Sequence, residues 1–122
     1  IVEPAIADAK KNAERNGYSN TEFIVGDAAV EMPRLYKQGI EPDVIVFDPI
    51  RAGCKEDVLH AAIGMAPQRI VYVSCNPSSM ARDIEILTKY GYQLVKVQPV
   101  DMFPQTYHTE AVSLLTRSEA TQ

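Results

Sequence analysis

Hydrophobic and polar positions along this chain switch between a helical period and runs of strand length. Ala5, Ile6, Ala9 and Ala13 share one helical face, and Asn16-Gly17 ends that helix. The run "TEFIVGD" (21–27) predicts a short strand closing on Gly26-Asp27. Met32, Leu35 and Tyr36 return to helical spacing until Gly39. "DVIVFD" (43–48) reads as a strand, Val58, Leu59, Ala62 and Ile63 as a helix, and "RIVYVSC" (69–75) as another strand. Met80, Ile84 and Leu87 mark a fourth helix, with Asn76 suited to its N-cap and Pro77 to its first turn. Gly91 closes that helix before strand 92–100, and "EAVSLLT" (110–116) is the last strand.

Strands alternating with helices predict an α/β fold, a mostly parallel sheet with helices on both faces. Two consecutive strands at the end add an antiparallel C-terminal strand. In such sheets ligands sit beyond the carboxyl ends of the strands. Asp27, Asp48 and Cys75 all fall at carboxyl ends, which raises each above its individual weight.

Composition narrows the picture. The 122 residues suit one small domain or part of a larger one. A net charge of -4 argues against this segment alone forming a nucleic-acid footprint. No apolar run approaches a membrane span, and nothing at the start reads as a signal peptide. Two cysteines make no disulfide framework, so a reducing, cytoplasmic setting is expected. No Cys-x-x-Cys or His-x-x-x-His spacing supports a metal site. A nucleotide-binding sheet should open with a strand and a Gly-rich turn, whereas this chain opens in a helix without G-x-G-x-x-G. The first strands and the Gly-rich loop are therefore expected to be missing, with 1–122 the C-terminal portion of a single domain.

Each candidate has a plain structural reading beside the chemical one. Cys75 can be a small buried hydrophobe; before a helix N-terminus it can also be a thiolate facing the crevice. Cys54, expected in the first turn of the next helix, reads as a packing residue. Asp48 can cap a turn or accept hydrogen bonds from a cofactor or base, and Arg51 can pair with it or with a phosphate. Asp27 can form an Asx-turn or meet an adenine edge. In "DMFPQTYHTEAV" (101–112), His108 and Glu110 are polar loop and strand-start residues, or a source of a proton acceptor.

Three phrases together resemble the RNA (uracil-5-)-methyltransferase family: "DPIRAG" (48–53), "VSCNP" (73–77) with "ARD" (81–83), and "DMFPQTYHTE" (101–110). "SCNP" and "MFP-x-T-x-H-x-E" in one chain are specific; Ile50 departs from the proline or alanine usual there. The resemblance implies a Rossmann-like class I methyltransferase sheet and S-adenosylmethionine as cofactor. It implies Cys75 as nucleophile and Glu110 as base, acting on a uridine in ribosomal or transfer RNA. It places Asp27 and Asp48 at the cofactor, and Asp48, Arg51 and His108 at the substrate. Two other readings are an amino-group methyltransferase of nucleic acid and a non-catalytic RNA-binding remnant. Ile50-Arg51 and Cys75 count against the first, and net acidity against the second. An interrupted sheet would leave an open edge, so self-association of the chain, or a rearranged strand 21–27 covering that edge, is also expected.

Overall fold

The computed structural model describes residues 3–17, 19–100 and 110–118, the side chains of 3–6 excepted. In chain order these form α1 (Glu3–Arg15), α2 (Ala28–Lys37), β1 (Val44–Phe47), α3 (Glu56–Met65), β2 (Arg69–Ser74), α4 (Pro77–Lys89), β3 (Tyr92–Val100) and β4 (Glu110–Arg117). The predicted punctuation holds at both ends of α4. Asn76 is the N-cap, Pro77 opens the helix, and Gly91 just beyond it has φ +103°, a conformation open to glycine at little cost.

The sheet runs β1-β2-β4-β3. β1 and β2 are parallel, and β4 is antiparallel to both β2 and β3. Three strands thus point one way, and only the C-terminal strand opposes them. The crossover through α4 leaves a gap of one strand between β2 and β3, and β4 returns to fill it. Four strands therefore bring the carboxyl ends of β1 and β2 and the amino end of β4 to one edge.

Side-chain alternation separates the two faces. Phe47, Tyr72 and Ser113 form one cross-strand row, and Ile70 pairs with Leu115 on the same face. That face meets Val58, Leu59 and Ala62 of α3 and Ile84 and Leu87 of α4, with Ala29 and Met32 of α2 beside them. Leu59, Ile70, Leu87 and Leu115 are fully buried. Each contributes about 1.5–3 kcal/mol relative to exposure. These four residues anchor the helical layer.

The opposite face departs from expectation. It presents Val44, Val46, Val71, Val73, Val112 and Leu114, and no described helix packs its core there. Val46 is 63% exposed. No described side chain of α1 joins the core. Helices thus cover one face rather than two among the described residues. The predicted strand at 21–27 is likewise not formed: residues 21–25 carry no ladder, and Asp27 caps α2 instead. A strand needs a neighbour's backbone groups, and the only described partner of β1 is β2. The open edge of β1 is accordingly not covered by a rearranged 21–27 segment.

Candidate functional site at the carboxyl edge of the sheet

Cys75 occupies a tight turn between β2 and α4. The Ser74 hydroxyl spans it, accepting from the Asn76 N–H and donating to the Asn76 carbonyl, both at 2.9 Å. Asn76 then caps α4, its side chain accepting from the Ser78 N–H at 3.1 Å. The apolar run therefore stops at Cys75 because a hydroxyl and an amide take over the backbone bonding there. The thiol is free and half-buried.

Register brings the second residue to it. Ser74 pairs with Ala111 at the end of the β2–β4 ladder, and Cys75 follows Ser74 as Glu110 precedes Ala111 at that same end. Glu110 is half-buried and pairs with Val100 on its other side. On the neighbouring strand, Phe47 pairs with Tyr72, so Asp48 follows at the level of Val73. Asp48 just past β1, Cys75 just past β2 and Glu110 at the start of β4 thus lie along one edge of the sheet.

A cleft of about 640 Å³ opens at the end of β1. Asp27, Asp48 and Lys55 give it polar groups, and Met32, Phe47 and Val58 an apolar wall. Asp27 accepts from the Ala29 N–H at 2.9 Å and faces Lys55 Nζ at 3.6 Å. The backbone hydrogen bond, then the lysine, hold its carboxyl below the ordinary value of 3.8. The plain capping role expected of Asp27 is therefore real, and the same residue lines the cleft. Neither Cys75 nor Glu110 lines this cleft; they stand one and two strands further along.

The loop 48–54 joins the cleft to α4. The Arg51 carbonyl accepts from Asn76 Nδ2 at 3.0 Å and Ser79 Oγ at 2.8 Å, and the Ala52 carbonyl from Arg82 Nη2 at 2.7 Å. The Arg51 side chain is exposed and makes no ion pair among the described residues, so the suggested Asp48–Arg51 pair is not formed. Cys54 lies before the α3 N-cap, Lys55, rather than within the helix. It packs against the core, and burial, then the nearby Asp83, push its thiol up to about 11. That suits the packing role read from sequence.

Sequence reasoning gave no role to Asp83, Tyr72 or Arg82. Asp83 is fully buried and accepts from the Tyr72 hydroxyl at 2.5 Å and the Cys54 N–H at 2.8 Å. Burial, then this bond to Asp83, raise the Tyr72 phenol well above its usual range. The signal was present: Asp83 sits on the apolar stripe of Met80, Ile84 and Leu87, where a charge needs partners. His108 lies outside the described residues.

A model of tRNA (uracil-5-)-methyltransferases matches residues 1–118. The chain belongs to this family. An uncharacterised RNA methyltransferase of Caldanaerobacter subterraneus is 53% identical over 95% of this chain, and one from Oceanobacillus iheyensis is 58% identical over 95%. The chain spans about a quarter of the length of these curated relatives, 26% and 25%. Among solved structures, a Pyrococcus abyssi tRNA (uracil-54, C5)-methyltransferase in complex with S-adenosyl-L-homocysteine superposes with a TM-score of 0.76 at 33% identity. That likeness covers 94% of this chain and 27% of the other. The α/β fold with a mixed sheet is thus that of the methyltransferase family.

Proposed function

We propose that this chain is the catalytic part of an enzyme that transfers a methyl group from S-adenosylmethionine to carbon 5 of a uridine in ribosomal or transfer RNA. The observation that supports the reading is that Cys75, just past β2, and Glu110, at the start of the neighbouring β4, both adjoin the Ser74–Ala111 pair in a member of this family. The cleft at the end of β1 fits one side of such a cofactor. Asp27 and Asp48 offer carboxylates to its polar groups, and Met32, Phe47 and Val58 an apolar wall to its adenine. When bound, the cofactor supplies the methyl group as an electrophile.

Cys75 supplies what uracil lacks. Carbon 5 is a weak nucleophile, and addition of the thiolate to carbon 6 makes an enolate that activates it. Cys75 stands immediately before Asn76, the N-cap of α4. Glu110 takes the proton from carbon 5 after methylation, and the electron pair left behind expels the thiolate and restores the ring. Asp48 borders both the cleft and the nucleophile's strand, where it can orient the base. The face of the ring must be reached, so the uridine leaves its stack. Two free cysteines suit a reducing, cytoplasmic compartment.

RNA bearing 5-fluorouridine tests this in the full-length protein. Fluorine cannot leave as a proton, so the cysteine adduct should persist through denaturation. It should form with Cys54→Ala and fail with Cys75→Ala. An adduct that survives Cys75→Ala would overturn the assignment.

A further inference from the structure

A buried carboxylate outside the reacting groups ties the site together. Asp83 is fully buried on the inner face of α4, beside Ser79, Ile84 and Leu87. Its Oδ2 receives the Tyr72 hydroxyl from the middle of β2 and the Cys54 N–H from the loop after β1. Its Oδ1 receives Arg82 Nε at 3.3 Å and Nη2 at 3.2 Å, and the same Nη2 also holds the Ala52 carbonyl. Gly53 lies against this group with φ +86°; a Cβ there would stand 2.7 Å from Asp83 Oδ2. The loop is therefore shaped to the carboxylate, and its glycine is needed for both backbone and space. Asn76 and Ser79 grip Arg51 one turn earlier on α4.

We propose that Asp83 is a positioning residue: it fixes the 48–54 loop on α4 and so sets Asp48, just past β1, relative to Cys75, just before that helix. The loop begins at Asp48, and the gripping helix begins two residues after Cys75, so the clamp spans the gap between the two. Its role in catalysis rests on the proposed methyl transfer; its role in holding the loop does not. A carboxylate serving only as a core pin would act through Tyr72. One serving the site acts through the loop. The two sides can be cut separately, with Tyr72→Phe on the core side and Gly53→Ala on the loop side.

The test uses the full-length protein with Asp83→Asn, Gly53→Ala and Tyr72→Phe. It reads alkylation of Cys54 by iodoacetamide, resolved by mass, together with kcat and KM for uridine-containing RNA. Asp83→Asn and Gly53→Ala should speed Cys54 alkylation roughly tenfold, the scale of one charged hydrogen bond lost. They should lower kcat by about tenfold to a hundredfold, as a misplaced group does, with KM for RNA little changed. Tyr72→Phe should lower the melting temperature with kcat within about threefold, because the loop bonds remain. Unchanged alkylation and kcat in a folded Asp83→Asn protein overturn the proposal, as does a Tyr72→Phe loss of kcat equal to that of Gly53→Ala. If the wild type methylates no uridine while both loop-side variants free Cys54, the clamp stands and the methyl-transfer reading falls.

Discussion

Cys75 and Glu110 both adjoin the Ser74–Ala111 pair, so the proposed chemistry rests on that end of the β2–β4 ladder. Glu110→Gln keeps shape and removes the proton acceptor. Methyl transfer should then proceed while release fails, and a denaturation-resistant protein–RNA adduct should accumulate on gels with ordinary uridine RNA. Normal turnover without adduct would remove Glu110 from the role of base. Asp27 offers a pH test. Its folded pKa is depressed, so its contribution is present above 3.8 and is lost as pH falls through the lower folded value. Asp27→Asn keeps a good N-cap but removes the titration and the Lys55 attraction. The variant's acid unfolding curve should be flatter below pH 4 than the wild type's. Identical curves would show that this carboxylate does not contribute. At this scale much of the site was legible. Asp27, Asp48 and Cys75 stood out at the carboxyl ends of predicted strands and Glu110 through the family phrase, whereas Asp83 passed unassigned because its partners Tyr72 and Cys54 lie 11 and 29 residues away.

Among the elements, α4 shows how local signals set a site. Its N-cap Asn76 satisfies the Ser78 N–H and also reaches Arg51 of another loop. Asn76→Ala should cost about 1 kcal/mol as a lost cap. A larger loss on denaturant titration would measure the loop bond as well. The helix limits could be read from sequence because caps and glycines act within a few residues. The segment 21–27 could not, since its β-rich composition says nothing about whether a neighbouring strand is present. Cys54 was misplaced for a related reason: "RAGCKEDVL" lacks a strong N-cap signal, and Lys55 caps α3 without a side-chain bond.

Among the described residues, a well-packed helical layer covers one face of the sheet and no helix core covers the other. Predicted alternation identified the strands, but not that α2, α3 and α4 would gather on one side. Which face a helix takes depends on crossovers and on elements beyond those described. The isolated chain should bind S-adenosylmethionine far more weakly than the full-length protein, because the described cleft offers one side of a binding site. It should also self-associate through the apolar face and the open β1 edge. Calorimetric titration with solution mass checks both. Micromolar affinity in a strict monomer would contradict this reading.

The position of β4 has a consequence for biogenesis. Of the four described strands it is translated last, yet it occupies an interior place, and β3 is joined to β2 only through it. As the nascent polypeptide emerges N-terminus first, β1, β2 and α4 can assemble with Cys75 already at its turn. The carboxylate of Glu110 arrives only when the ribosome has almost finished this segment. The thiol and the carboxylate proposed to accept the proton thus belong to parts of the chain made at different times. A ribosome stalled before residue 110 would carry a nascent chain with Cys75 at its turn but without the carboxylate proposed to let the product go.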